Sequence, residues 1–344
     1  MLNQNISGYQ NKKDQIELLN IAEGYFQSGV LFALLKLNIF EIIGEEDRSL
    51  SDLALSTGTK AKTLLRLLNA GIVLGLLESE GDSHYRLAQR FRNALLPSNG
   101  EQYLGNWIRN LEYFQSSFLD LDKAVIKSGP TVDPEEHLGV DEIKTREYIL
   151  AMHNYASMRG KELANFLDTK ECRKLLDLGC GPGTYAFHLG ALNPEMEIYL
   201  ADFPDVLKIA EELGQKYLPE RDIKILPLNA IKDEIPGTYD LILVSNMLHM
   251  LNEENCKNLI CRLYNHVCPG GSLVIQAQFL NDNRRGGRWP VLLDLIQLCI
   301  TEDGRNHTVQ ETKGWLAEAG FKDVKLCNMT MLNTNSFLRG YKKH

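Results

Sequence analysis

The chain has 344 residues, 44% of them hydrophobic and 24% charged, which is typical of a globular protein with one large core or two smaller ones. Its formal net charge of −8 argues against a general affinity for nucleic acid or for an anionic membrane. The most membrane-like window, Val30–Ile43, is short and interrupted by Lys36 and Asn38, and the N-terminus lacks an apolar signal core, so we expect a cytoplasmic protein without a membrane span.

The N-terminal part of the chain predicts a series of helices. Apolar residues recur at three-to-four spacing over Ile16–Phe26 and over Val30–Ile43. A further helix is expected to begin after the capping residue Ser49 and to end at Gly58, and the helical pattern resumes over Lys60–Leu77.

A hairpin is expected after these helices, because Leu76–Leu87 reads as two short strands around a turn at Gly81-Asp82. Helices followed by such a hairpin make a winged helix-turn-helix, which binds DNA in many proteins. The expected recognition segment offers only Lys60, Lys62 and Arg66 in acidic surroundings, so we predict a structural or dimerising role instead. We assign this domain to residues 1–100 and a helical bridging segment to residues 101–165.

Residues 166–344 alternate between strand-length apolar runs and amphipathic helices. The expected strands are Lys174–Leu178, Glu197–Ala201, Asp222–Leu226, Leu241–Val244 and Ser272–Gln276. The expected helices lie near Tyr185–Leu192, Val206–Lys216 and Glu253–Val267. Repeated strand–helix units predict an α/β fold with a parallel sheet and helices on both faces. Phe321–Leu326 and Ser336–Tyr341 flank the polar turn Asn333-Thr334-Asn335 and predict an antiparallel pair that closes the sheet.

The first of these strands runs into the glycine loop Asp177-Leu-Gly179-Cys-Gly181-Pro-Gly183. Alternate glycines let the backbone pass close to a bulky ligand, and the N-terminus of the next helix suits a carboxylate. The dinucleotide fingerprint GxGxxG does not fit, because the third glycine comes one residue early and Thr184 follows it. The Gly-Lys-Ser/Thr ending of a phosphate-binding P-loop is absent. An acidic residue before GxGxG is typical of class I methyltransferases.

Class I methyltransferases bind S-adenosylmethionine (SAM) as their cofactor. The ends of the next strands carry polar residues that fit this cofactor. Asp202 ends the second strand, where a carboxylate accepts hydrogen bonds from ribose hydroxyls; the alternative is a cap for the helix that starts near Pro204. Asn229 ends the third strand, where methyltransferases usually place an aspartate on the adenine amino group. Ser245 ends the fourth strand, near the expected methionine portion of the ligand.

Residues 148–341 resemble the catalytic domain of small-molecule O-methyltransferases, the family of hydroxyindole, caffeic acid and bacterial pigment- and polyketide-tailoring enzymes of secondary metabolism. The resemblance rests on the glycine loop, on Ala201-Asp202-Phe203-Pro204, on Ser245-Asn-Met-Leu-His249, on Pro269-Gly-Gly, and on the run from Gly304 to Phe321. Residues 18–90 resemble the family's winged-helix dimerisation domain. The resemblance implies a Rossmann-like seven-stranded sheet, a homodimer, and SAM as cofactor with S-adenosylhomocysteine (SAH) as product.

The family also implies roles for individual residues. His249 stands where the family has a general base that takes the proton of a substrate hydroxyl, so no metal is needed. Phe203 and Ala230 join the cofactor residues, and Met152 stands where the family contacts the acceptor. The expected acceptor pocket is completed by the following residues: His153, Trp289, Asp294 and Asn306.

The sequence departs from the family next to the base. Met250 and Leu251 replace a carboxylate and a tryptophan, and Gln276 and Asn306 replace two glutamates that flank the imidazole. An amide orients an imidazole but does not stabilise imidazolium as a carboxylate does. Either the substrate hydroxyl is already acidic, as in a phenol or an enol, or another group assists the base, with Glu302, Asp303, Asp294 and His153 as candidates. Methylation of carbon or nitrogen, or a SAM-binding regulator without methyl transfer, remains as the alternative.

Overall fold

The computed structural model describes residues 2–81, 83–134, 141–329 and 336–343, with side chains from Lys12 onward. The chain divides into two compact units, Met1–Arg109 and Asn110–His344. This division differs from the three regions expected from the sequence, because the described part of the bridging segment beyond Asn110 groups with the C-terminal unit.

The N-terminal unit is mainly helical and carries a small antiparallel sheet. Its helices are α1 (Leu2–Lys36), α2 (Ile39–Ile43), α3 (Leu50–Thr57), α4 (Ala61–Val73) and α5 (Arg92–Leu95), and α6 (Gly105–Phe118) runs across the boundary between the units. Its strands are β1 (Arg48–Ser49), β2 (Leu77–Glu80) and β3 (His84–Leu87), in the order β1-β3-β2. The hairpin of β2 and β3 confirms the expected wing, and its predicted turn residue Asp82 lies outside the described residues.

The expected division between the first two helices is wrong. Helix α1 runs without interruption to Lys36, and the break comes at Asn38, which adopts a left-handed conformation with φ 52°. Asparagine tolerates this conformation better than most residues, so it ends one helix and begins the next. Leu34, Leu35 and Phe40 pack on both sides of the break into the core of this unit.

Helix α1 is also long and apolar enough, over Lys12–Lys36, to cross a membrane by length and composition alone. Its best window has a mean hydropathy of 1.3, and only 17% of that window is buried, which contradicts the expectation that no segment meets this test. Ile16, Leu18 and Ile21 are among its exposed apolar side chains. One such helix is weak evidence for a membrane span, because a helix of a soluble protein passes the same test.

The C-terminal unit is a doubly wound α/β fold. Its helices are α7 (Leu121–Lys127), α8 (Glu142–Phe166), α9 (Thr184–Leu192), α10 (Pro204–Tyr217), α11 (Glu253–His266), α12 (Arg288–Ile300) and α13 (Val309–Glu318). Its strands are β4 (Lys174–Leu178), β5 (Glu197–Asp202), β6 (Lys224–Pro227), β7 (Tyr239–Ser245), β8 (Val267–Ala277), β9 (Lys322–Asn328) and β10 (Ser336–Tyr341). They form a seven-stranded sheet in the order β6-β5-β4-β7-β8-β10-β9.

The sheet confirms the predicted topology. Strands β4 to β8 pair in parallel, and β10 lies antiparallel between β8 and β9. The predicted turn Asn333-Thr334-Asn335 between β9 and β10 lies outside the described residues. Successive residues of β4 enter the cores on opposite faces of the sheet, Leu175 on one side and Leu176 on the other. Burial on both faces explains why these strands read as continuous apolar runs.

The chain order places the ends of β4, β5 and β7 side by side. Leu178 is in register with Ala201 of β5 and with Val244 of β7, so the loops after the three strands open at one edge of the sheet. Ligands of doubly wound sheets bind at this edge, where the strand order reverses. The fold therefore gathers the glycine loop, Asp202 and Ser245 at one place.

Candidate active site

The glycine loop between β4 and α9 depends on backbone conformations that favour glycine. Gly179, Gly181 and Gly183 have φ values of 66°, 51° and 72°. At Gly183 a Cβ would lie 2.7 Å from Cζ of Phe187, whereas at Gly181 it would meet nothing within 4 Å. Position 183 therefore favours glycine because a side chain there would collide with Phe187. Glycine at position 181 leaves the space beside the loop open.

Asp202, at the end of β5, holds the loop from the neighbouring strand. Its Oδ2 accepts a hydrogen bond of 2.8 Å from the Gly181 amide, and its Oδ1 accepts one of 2.8 Å from the Phe203 amide. Burial nevertheless raises the pKa of this carboxyl group, and the two amides oppose the shift. Each oxygen keeps a second lone pair for a ligand hydroxyl.

A cavity of about 380 Å³ opens beside this loop within the C-terminal unit. Eight of the residues expected at the site line it: Met152, Gly179, Gly181, Asp202, Phe203, Asn229, Ala230 and Ser245. These residues come from the ends of four parallel strands and from α8, so the structure brings together most of the predicted cofactor residues.

The sequence reasoning missed three tyrosines in the cavity wall, Tyr148, Tyr155 and Tyr185. Tyr148, Met152 and Tyr155 are spaced by four and three residues on α8, and this helical stripe was the signal that could have identified them. Burial raises the pKa of Tyr148 to about 12, so its phenol stays protonated. The Tyr155 hydroxyl accepts a hydrogen bond from Nε2 of Gln278.

Asp177 and Gly183 lie beneath the cavity and are not part of its described lining. The Asp177 side chain is buried within β4, and burial together with the nearby Asp202 raises its pKa well above the usual value. Gly183 is the residue before α9 and packs against Phe187. Gly183 therefore supports the loop by packing, and contact of either residue with the cofactor stays a prediction.

His153 was expected at the acceptor pocket, and the structure contradicts this. Its Nδ1 is 2.7 Å from the Thr184 hydroxyl, its Nε2 is 3.0 Å from the Tyr217 hydroxyl, and the ring packs edge-on against Tyr217. Burial lowers its pKa to about 4, so the imidazole is neutral. Both nitrogens are engaged in packing α8 against α9 and α10, which leaves neither for an acceptor.

Trp289, Asp294 and Asn306, also expected at the acceptor pocket, do not belong to the described lining of the cavity. The Asp294 carboxylate accepts a hydrogen bond of 2.6 Å from the backbone N–H of Asn306. The side-chain Nδ2 of Asn306 donates one of 2.6 Å to the Pro290 carbonyl. These two side chains therefore tie the segment after α12 to that helix. The Asp294 carboxylate thus stabilises the local fold by accepting a hydrogen bond from a backbone N–H.

His249 lies on a short 3₁₀ turn, Leu248–Met250, directly after β7. Its neighbours Met247, Met250 and Leu251 line the cavity, whereas His249 itself is outside the described lining. Burial, and next the proximity of His307, lower its pKa to about 4, and its buried Nδ1 has no hydrogen-bond partner among the described residues. The imidazole is therefore neutral at physiological pH and keeps a free nitrogen.

Gln276 was expected to flank this imidazole, and its side-chain oxygen is engaged with the end of β7 instead. It lies in β8 in register with Ser245, and its Oε1 accepts hydrogen bonds from the Ser245 hydroxyl and, at 2.9 Å, from Nδ2 of Asn246. The amide oxygen is thus used to fix the end of β7. A glutamine suits this place because the oxygen is buried and both of its partners are donors.

Asn229 lines the cavity, but its side-chain oxygen is already used. Oδ1 accepts hydrogen bonds from the amides of Ile231, at 2.9 Å, and of Lys232, at 3.2 Å. A role for Asn229 at the adenine amino group stays a prediction, and in this structure the turn after β6 engages its side-chain oxygen. Asn229 thus shapes the loop that follows β6.

The fold and this site define a class of protein. A doubly wound sheet with a glycine loop after its first strand and a carboxylate after its second, both at one cavity, is typical of enzymes that bind an adenosine-containing cofactor. Among the described residues, no group of three or more His, Cys, Asp or Glu is arranged to hold a metal ion.

Comparison with known proteins narrows this class. The family model of the O-methyltransferase domain matches residues 132–322 of the sequence. The family model of the O-methyltransferase dimerisation domain matches residues 19–96. The chain therefore belongs to the O-methyltransferase family, and it is a SAM-dependent methyltransferase.

Relatives cover nearly the whole chain. The tetracenomycin polyketide synthesis 8-O-methyltransferase of Streptomyces glaucescens is 25% identical over 320 residues, which cover 90% of this chain and 92% of the relative. The 3-hydroxy-5-methyl-1-naphthoate 3-O-methyltransferase of Streptomyces sahachiroi is 24% identical over 94% of each chain. The crystal structure of human N-acetylserotonin methyltransferase with SAM superposes with a TM-score of 0.86 at 23% identity, over 96% of this chain and 98% of that one.

Proposed function

We propose that the protein transfers the methyl group of SAM to a phenolic hydroxyl of a small aromatic or polyketide-like metabolite, with His249 as the general base. The observation that carries this proposal is the position of His249. It lies on the short turn after β7, between residues that line the cavity, and it is neutral with one unengaged nitrogen. A neutral imidazole accepts a proton at the pH of a cell.

The cofactor end of the cavity suits SAM. The loop leaves room for a ligand against its backbone at Gly181, and Asp202 has lone pairs for the ribose hydroxyls. Phe203, Ala230 and Ser245 complete this end, and Asp177 supports it from beneath. SAM supplies the methyl group on a positively charged sulfur that leaves as a neutral thioether.

The base in this site is weak, and this restricts the acceptor. A pKa of about 4 means that the His249 imidazole holds a proton poorly, and the structure places neither Gln276 nor Asn306 in a hydrogen bond to it. An acidic hydroxyl compensates: a phenol, with a pKa of about 10, gives up its proton far more easily than an aliphatic alcohol. Positioning of the oxygen in line with the methyl group then supplies most of the rate.

The cavity wall favours a flat apolar acceptor. Tyr148, Met152 and Tyr155 on α8 face the cavity, as do Met247 and Met250 beside the base. Aromatic rings and thioethers pack well against aromatic ligands. The names of the two bacterial relatives agree with this, since one refers to tetracenomycin polyketide synthesis and the other to a hydroxynaphthoate.

We also propose that the exposed apolar side chains of α1 pack against a second copy of the chain. The dimerisation domain matched over residues 19–96 includes the second half of α1, where Ile21, Tyr25 and Phe26 are more than half exposed. Burial of these side chains in a homodimer accounts for the apolarity that also satisfies the membrane-span test. A cytoplasmic location stays a prediction.

The proposed activity is tested by incubating the purified protein with SAM and a panel of phenols that includes N-acetylserotonin and 3-hydroxy-5-methyl-1-naphthoate. We expect SAH and a methoxy product with at least one phenol, detected by mass spectrometry. The matched control is the methyl ether of each phenol, which should release no SAH. Tight binding of SAM without turnover of any phenol would contradict the proposal and favour a regulatory role.

A further inference from the structure

His307 is a buried histidine that contacts the turn carrying His249. Its side chain is 4% exposed, and its Nε2 lies 3.1 Å from the carbonyl oxygen of Leu248, the residue before His249. Nε2 is also 3.4 Å from the thiol of Cys256 on α11. Because a carbonyl oxygen only accepts hydrogen bonds, Nε2 carries the proton and donates to Leu248.

The backbone of His307 is fixed from two sides. Its carbonyl oxygen accepts a hydrogen bond of 3.0 Å from the Leu280 amide, just beyond β8. The next residue, Thr308, caps α13 in a reciprocal pair with Glu311. The imidazole ring packs edge-on against Trp315 of α13, with 4.9 Å between the ring centroids. His307 is therefore held in place between the sheet and α13.

The turn that His307 contacts has little support of its own. It is three residues long, and it is closed by hydrogen bonds from the Met250 amide to Met247 and from the Leu251 amide to Leu248. A short 3₁₀ turn has poor hydrogen-bond geometry, so outside contacts determine where its side chains lie. The Leu248 carbonyl receives such contacts from His307 and, at 3.5 Å, from the Cys256 thiol.

We propose that His307 is a positioning residue, which holds the Leu248–Met250 turn through the Leu248 carbonyl and so sets the His249 imidazole against the acceptor hydroxyl. The inference rests on the proposed role of His249 as the base. Burial lowers the pKa of His307, with Arg305 acting in the same direction and Glu311 opposing it, so the ring stays neutral. A neutral ring protonated on Nε2 is the form that makes this bond without charging the core.

The test compares two substitutions of His307. His307→Phe keeps a ring against Trp315 but removes the donor, whereas His307→Gln keeps an amide donor near the position of Nε2. The assay uses the phenol of the panel that is turned over fastest. We expect His307→Phe to lower kcat about tenfold while the KM for SAM changes less than about twofold. We expect His307→Gln to keep at least half of the wild-type kcat.

The same substitution in a His249→Ala background shows whether the effect passes through the base. If His307 acts by positioning His249, His307→Phe should change kcat less than about twofold once His249 is absent. Equal losses in both backgrounds, or no loss in the wild type, would overturn the positioning role. Near wild-type turnover of His249→Ala alone would instead overturn the proposed base, and the two failures are therefore distinguishable.

A second measurement does not depend on turnover. Nitrogen-15 NMR of labelled histidine side chains, assigned with His307→Gln, should find His307 neutral and protonated on Nε2 at about pH 8. A ring protonated on Nδ1 would overturn the proposal, because such a ring could not donate to the Leu248 carbonyl.

Discussion

The two ends of the cavity are built in different ways. At the cofactor end, the continuous stretch of chain from Gly179 to Pro182 forms the surface, and one side chain from the next strand, Asp202, fixes it. At the acceptor end, side chains from separate segments meet: a turn after β7, the helix α8, and the region after α12 that carries His307. A backbone surface is fixed by local residue types, whereas an assembly of side chains is fixed only by the whole fold.

The largest expected effect is at the acceptor end. His249→Ala should lower turnover of the best phenol by about a hundredfold or more, because the oxygen then has no positioned base. Release of SAH under saturating SAM measures this, and His84→Ala, an exposed histidine on the wing, is the matched control. A loss below about threefold would show that His249 is not the base.

The next effect separates two glycines of one loop. Gly181→Ala and Gly183→Ala both force alanine into a left-handed conformation, at about 1–2 kcal/mol, but only the second places Cβ 2.7 Å from Phe187. We expect Gly183→Ala to lower the free energy of unfolding by about 2 kcal/mol more than Gly181→Ala does. Urea denaturation of the two variants measures the difference, and equal losses would contradict the packing role of Gly183.

The smallest expected effect concerns pH. Because the pKa of His249 is lowered to about 4, the imidazole loses its function as a base only as the pH falls toward that value. We therefore expect kcat/KM for the phenol to fall less than about twofold between about pH 7.5 and pH 5.5. A histidine with the ordinary pKa of about 6.5 would lose about tenfold over this range, and that result would contradict the lowered pKa.

Much of the fold could be predicted from the sequence, because its signals are local. The strands of the parallel sheet are apolar runs bounded by polar residues, and β4 agrees with its prediction at both ends. The cofactor loop was predictable for the same reason, since alternate glycines at a strand end mark a specific backbone path. The break at Asn38 was missed because the apolar pattern continues through it, while the backbone conformation changes at a single residue.

The acceptor end could be predicted only in part. His249 is identified by family resemblance, but the partners of the neighbouring side chains depend on three-dimensional contacts. His153 faces Thr184 and Tyr217, and Asn306 bonds to the Pro290 carbonyl, although both were expected at the acceptor. No spacing in the sequence links His307 to Leu248, which precedes it by 59 residues. Side-chain direction across separate elements is the information that the sequence pattern lacks.

The central claim is that one end of the cavity binds the cofactor and the other end acts on the acceptor. Titration calorimetry tests this claim most directly by comparing the affinity for SAH of Asp202→Ala with that of His249→Ala. Removal of the Asp202 carboxylate takes away the proposed ribose acceptor and its hydrogen bond to the glycine loop at Gly181, so we predict that the Kd rises more than about tenfold. For His249→Ala we predict a Kd within about twofold of the wild type, because this side chain acts on the acceptor. An unchanged Kd for Asp202→Ala, or equal losses in both variants, would contradict the account.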